Sequence, residues 1–219
     1  MRRDHLLSGT ELPDPVRGEL MPEAPNTLVS KVDFVRRLCD ASLMSFITAT
    51  STEEAIGWPA RSQFEAFLNE HRAELNRCLD GLTEEQARRS LVPSRTTLLG
   101  LVKHAIFVEK VWFDEAVACR SRAEIGIPAT PDESFILDDD DTIATIQQAH
   151  REACELSRRA TSSLGLDDLV NGNRRGPLPL RWVYLHVLRE LAQHCGHADI
   201  LREQIIDEQR TRQASAHVV

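Results

Sequence analysis

From residue 62 onward, apolar residues recur at steps of three and four, the spacing that returns a side chain to the same face of a helix turning once every ~3.6 residues. Phe64, Phe67, Leu68, Leu75, Cys78 and Leu79 mark a first helix, which Gly81 is placed to stop. Thr83-Glu-Glu-Gln86 has capping-box spacing and predicts a short helical turn before Pro93 breaks the chain. A second helix is expected after Ser94 to Thr97. Leu101, His104, Val108, Val111 and Glu115 fall on one side of it, with Leu98, Ala105 and Trp112 beside them. Ile143, Ile146, Ala149, Ala153 and Leu156 carry a third helix over residues 142–163, and the stretch from Arg181 to Ile206 carries a fourth.

The segments between these helices read as loops. Residues 120–141 hold Gly126, Pro128, Pro131 and the run Asp138 to Asp141, acids that suit the partial positive charge at the start of the helix that follows. Residues 165–179 carry the turn signals Asn171-Gly172 and Gly176-Pro177. No stretch alternates with period two for long enough to build a sheet. The pattern therefore predicts an all-α fold, an antiparallel four-helix bundle over residues 61–210. A flexible tail is expected at 211–219 and an N-terminal extension at 1–60. Within the extension, Pro13, Pro15, Pro22 and Pro25 point to an irregular leader, while Leu28, Val32, Val35, Leu38 and Leu43 allow a helix.

Composition narrows the class. At 219 residues, 42% hydrophobic and 27% charged, the chain suits one sizeable globular domain, and no apolar run approaches the ~20 residues needed to span a bilayer. The N-terminus reaches acids and prolines before any apolar core forms, so no export signal is expected and a cytoplasmic location is. A net charge of -8 opposes nonspecific binding to nucleic acid, which needs Lys and Arg to neutralise phosphates. The five cysteines are spread out, with no C-x-x-C pair, and read as reduced and mostly buried.

The chemistry concentrates in the fourth helix, where His186, Glu190, His194 and His197 stand at offsets of four, four and three on one face. Such a stripe is either a solvated polar face or half of a metal site, since imidazole and carboxylate are donors that zinc and its neighbours prefer. Glu190 and His197 are seven residues apart, roughly 10 Å along the axis, so only neighbouring pairs can share one ion. His186 with Glu190, Glu190 with His194, and His194 with His197 remain open. His104 on the second helix is either a hydrogen-bonded core histidine or the missing third ligand. With Glu190 and His194 it would supply two imidazoles and a carboxylate, the set that leaves a position free for substrate in catalytic zinc sites. Cys195 is turned about 100° away from the stripe and reads as packing.

Three segments, GLTEEQAR (81–88), TTLLGLVKHAIFVEKVWF (96–113) and WVYLHVLRELAQHCGHADILREQIID (182–207), resemble the DinB-like metalloprotein superfamily, near its mycothiol-dependent maleylpyruvate isomerase branch. The resemblance covers roughly residues 64–207. It implies a divalent metal, zinc or nickel, held by His104, Glu190 and His194, with His194 and His197 as the alternative pair. Glu at position 190, where many DinB-like proteins have His, is similar to the isomerase branch. His197 and Arg202 are implied to line the site and contact a cofactor. A low-molecular-weight thiol of the mycothiol type is the implied co-substrate, used to attack a small electrophile (S-transfer) or to isomerise a conjugated double bond. The chain ends soon after Asp207, without the further C-terminal domain of maleylpyruvate isomerase, so transfer is the expected outcome. A noncatalytic metal- or ligand-binding bundle is the competing reading. The resemblance further implies a small-molecule substrate and a homodimer, while the acidic balance and the missing apolar run argue against nucleic acid and membrane as partners.

Overall fold

The computed structural model describes residues 52–216, and the expectations for the leader and for a helix at 28–50 lie outside them. After a 3-10 turn at Glu54–Gly57 come helix α1 (Ala60–Arg77), the short α2 (Glu84–Ala87) and α3 (Leu98–Glu109), which runs on as a π-helical turn at Lys110–Glu115. Then follow α4 (Arg122–Ile125), a 3-10 turn at Asp132–Phe135, α5 (Ile143–Thr161), strands β1 (Leu169–Val170) and β2 (Leu178–Pro179), and the long α6 (Leu180–Ala216). The fold is all-α apart from that two-residue antiparallel hairpin, in which Val170 faces Leu178. Helix α6 passes through the expected tail at 211 and continues to Ala216, because EQRTRQA contains no residue that breaks a helix.

Four long helices share one core. Helix α1 packs most extensively on α6, α3 packs on both α5 and α6, and α1 touches α3 and α5. The interior holds Leu68, Leu75 and Leu79 against Val187, Leu191 and Ile205, with Leu98, Leu101 and Val102 between. Removing that apolar surface from water is the main favourable term, roughly 25 cal/mol per Å². Spacing places Phe67 and Leu156 on apolar faces, but they lie at the edges of their stripes and are 41% and 50% exposed.

Helix ends follow the sequence closely. Thr83 and Gln86 form the reciprocal capping box, and Gly81 takes the left-handed conformation (φ 74°) that closes the turn beyond α1. Thr97 Oγ1 accepts from the Gly100 amide at 3.0 Å and starts α3. The aspartate run behaves differently from expectation. The α5 cap is Thr142, and the carboxylate at the start of that helix is Glu84, which accepts from the Ile143 amide at 3.0 and 3.1 Å. Asp138 and Asp141 instead grip Lys103 Nζ at 2.8 and 2.6 Å, tying the 120–141 loop down beside His104. A full cationic partner outcompetes the partial charge of a helix end.

One polar cluster is buried between α1, α3 and α5. Arg72 donates to both oxygens of Glu109 at 2.8 and 2.7 Å, with the side chains 6% and 0% exposed. Burial opposes both charges, but each group's partner wins: Glu109 sits below the ordinary carboxylate range and Arg72 above its own. His150 is buried beside them, its Nδ1 accepting from Asn76 Nδ2 at 3.3 Å. Periodicity does not reveal this cluster, since an isolated Arg or Glu at a core register reads as a break in the pattern.

Candidate metal centre

His104 comes from the middle of α3, and Glu190 and His194 come from α6 one turn apart. Each offers one ligand atom, and these atoms all lie within 4.8 Å of one another. The two imidazole rings meet edge to face, centroids 4.8 Å apart. His194 Nε2 lies 3.9 Å from Glu190 Oε2. The two expected helices thus bring all three side chains to a common point.

The 3-10 turn at Asp132–Phe135 finishes the site from above. His104 Nδ1 is 2.6 Å from Ser134 Oγ, whose own hydrogen is given to the Pro131 carbonyl. Ser134 therefore accepts, Nδ1 carries the proton, and the Nε2 lone pair of His104 is left for another partner. The Phe135 ring stacks on the same imidazole at 4.1 Å and 12°. Ser134 and Phe135 stand thirty residues along the chain from His104 in a loop without periodicity, so no spacing signal points to them.

Electrostatics keep the imidazoles neutral. Burial, then the neighbouring His194, pushes His104 down to about 4, against the opposing pull of Glu190. Burial also lowers His194, with Glu190 again opposing. Neutral imidazole is the form that ligates a cation. Neither ring nitrogen of His194 has a hydrogen-bond partner among the described residues, although both are buried. Leaving such a group unsatisfied costs about 1–3 kcal/mol. A divalent cation held by Glu190, one His194 nitrogen and His104 Nε2 would satisfy one of those two nitrogens, so the donor set fits such an ion.

The other stripe residues do not join this point. His197 is exposed, its ring centred 5.9 Å from that of His194. Arg202 donates to the carbonyls of Cys78 and Asp80 at 2.6 and 2.8 Å, fastening α6 to the end of α1. His186 Nδ1 accepts from Arg189 at 3.2 Å, and its Nε2 faces Glu190 Oε1 at 3.7 Å. Arg189 also donates to Glu190 Oε1 at 3.1 Å and orients the carboxylate. Cys195 points toward α1, where it forms with His71 and Glu74 a second cluster of potential ligand atoms. Those atoms have partners already: His71 Nδ1 meets Glu74 at 3.0 Å, and the thiol, its pKa raised by burial and then by Glu74, donates to the His71 carbonyl.

A cavity of about 560 Å³ opens over His104 and Glu190. The π-helical turn after α3 supplies one wall through Val111, Trp112 and Glu115. Its wider turn, with Ala116 N bonded to Val111 O at 3.0 Å, sets these side chains at a different phase from that of a continuous α-helix. Trp112 packs on His186 at 4.3 Å, and His186 stacks on Trp182 at 5.0 Å and 11°. Together the pieces make a donor triad beneath an aromatic-walled pocket of small-molecule size.

No curated protein matches the chain. A family model does, over residues 63–207, more than half of the sequence and the part that holds the triad, the pocket wall and all four long helices but for their outermost turns. By that match the chain belongs to the mycothiol-S-transferase family.

Proposed function

We propose that the protein is a divalent-metal-dependent thiol S-transferase, acting in the cytoplasm on a small electrophile with a thiol of the mycothiol type. In this reading His104, Glu190 and His194 hold the metal, zinc first and nickel as the alternative. The observation that carries it is the imidazole of His194, whose two buried ring nitrogens have no hydrogen-bond partner among the described residues, set within 4.8 Å of two further donors that line an open cavity. Among the described residues no fourth donor joins the three: His186 is tied to Arg189, and His197 is exposed. An open position distinguishes reactive from structural zinc sites.

A cation in this triad would lower the pKa of a thiol reaching the open position, making thiolate available at neutral pH. The chain's own groups do the rest. Ser134 fixes the His104 tautomer, Arg189 orients Glu190, and the indole of Trp112, with the His186 ring tilted 56° against it, offers an aromatic wall on which an electrophile can lie. The thiol proton passes to solvent, and the sulfur attacks the electrophilic carbon. A carbon–sulfur bond forms as the leaving group departs with its electron pair.

Metal analysis of protein purified without a metal-binding tag, paired with consumption of an electrophile with and without thiol, tests the proposal. About one divalent ion per chain and strictly thiol-dependent turnover are expected. His194→Ala is expected to keep the helical circular dichroism and to bind less than about a tenth as much metal. Wild-type protein that stays metal-free under zinc and nickel loading would overturn the reading.

A further inference from the structure

Four guanidinium groups border the cavity, those of Arg122, Arg174, Arg175 and Arg189, against only two carboxylates, Glu115 and Glu190. Two of the four are engaged. Arg122 lies on both oxygens of Glu115 at 3.0 Å, and Arg189 on Glu190 and His186. Arg174 and Arg175 have no ion pair and no side-chain hydrogen bond among the described residues. Arg175 merely lies over the Trp182 ring, 5.7 Å from its centre. Two uncompensated cations side by side at one pocket stand out in a chain of net charge -8.

Their position is built, not incidental. The loop that carries them is closed by the β1–β2 pair and pinned by the Gly172 amide, which donates to the Ala116 carbonyl at 2.9 Å. A Cβ at Gly172 would meet the Glu115 carbonyl at 1.9 Å, so only glycine lets the loop come this close to the π-helical turn. Asn173 accepts from the Arg175 amide at 2.8 Å and donates to the Gly176 carbonyl at 3.0 Å. That side-chain turn holds the two arginines at the mouth of the cavity.

We infer that the pocket takes an electrophile with a flat apolar body and a carboxylate, the body lying along Trp112 and the carboxylate on Arg174 and Arg175. The inference rests on the proposed transferase reading for the word electrophile, and on the pocket alone for the ligand's shape and charge. Guanidinium recognises carboxylate through paired donors, and the unpartnered state of both groups leaves those donors available. The cavity volume lies within the range of small-molecule sites.

Quenching of Trp fluorescence in the full chain by 4-nitrobenzoate and by its uncharged counterpart 4-nitrobenzamide tests this without thiol or turnover. Wild type is expected to bind the carboxylate roughly tenfold more tightly, with the preference shrinking in high salt. The Arg174→Gln/Arg175→Gln double variant is expected to lose that preference while its affinity for the amide is unchanged. In Trp112→Phe the amplitude of the saturable quenching is expected to fall, the neighbouring Trp182 supplying what remains. Equal binding of the two probes by wild type, no saturable binding of either, or a preference that survives in the double variant overturns the inference. An arginine-dependent preference in a protein that never consumes electrophile would sink the transferase reading and leave the anion site standing. Turnover of neutral and carboxylated electrophiles at equal kcat/KM would do the reverse.

Discussion

Ser134 shows how one side chain outside every sequence pattern can decide the chemistry of one inside it. By accepting the Nδ1 proton of His104 it leaves Nε2 as the free donor, and a freely turning imidazole would share that role between two nitrogens. Ser134→Ala is therefore expected to keep the fold and to weaken zinc affinity by about 10- to 100-fold, the usual effect of losing a partner of this kind. A competition titration against a chromophoric chelator measures it, and unchanged affinity would show that Phe135 stacking alone holds the ring. His104 and Glu190 were both legible as candidates, because donors at helical spacing keep their signature in the sequence. The contacts of Arg202 were not, since a charged residue on a stripe reads the same whether it meets a cofactor or a carbonyl.

At the scale of elements, α1, α3 and α5 are joined by the buried Arg72–Glu109 pair with His150 beside it. Burial, reinforced by Arg72 and opposed by Glu109, lowers His150 to about 4, well below the 6.5 of an exposed imidazole. Between those values the unfolded chain binds a proton that the folded chain excludes, so stability from this residue is complete above 6.5 and declines as pH falls toward 4. At pH 5 the loss is roughly 2 kcal/mol. In metal-free protein, unfolding free energies from urea titrations at pH 7.5 and pH 5 are expected to differ by about that much more in wild type than in His150→Asn. Equal differences in the two proteins would show that His150 is charged in the fold. The same scale explains what the helical pattern conveyed and what it missed. Caps and stops at Thr83, Gly81 and Thr97 are local and were readable. The π-helical turn at Lys110–Glu115 was not, because one wider turn leaves residue types unchanged while moving Trp112 and Glu115 to the pocket.

For the whole molecule, the core is apolar: buried leucines and valines run through α1, α3 and α6 on both sides of the triad. No helix among the described residues is long and apolar enough to cross a membrane. With that much apolar surface buried, a metal at the site would add its binding free energy to helices already held by their core. Chelation is thus expected to leave the far-ultraviolet circular dichroism unchanged and to lower Tm by roughly 5–10 °C, the effect of losing an ion present at about 100 times its Kd. Loss of helicity on chelation would instead assign the metal a structural role, as in small zinc domains that unfold without it.

By itself, the amino-acid order determined the four long helices, the caps at Thr83 and Thr97 and which helix faces carry nitrogen and oxygen donors. These follow from side-chain period and short-range hydrogen bonding, both written within a few residues of one another. Tertiary structure alone decided that Ser134 meets His104, that Arg72 finds Glu109, and that Arg174 and Arg175 stand at the mouth of the cavity without partners among the described residues. Each of these depends on which distant groups packing makes neighbours, and a charge or a lone pair is satisfied by distance in space, not by separation along the chain.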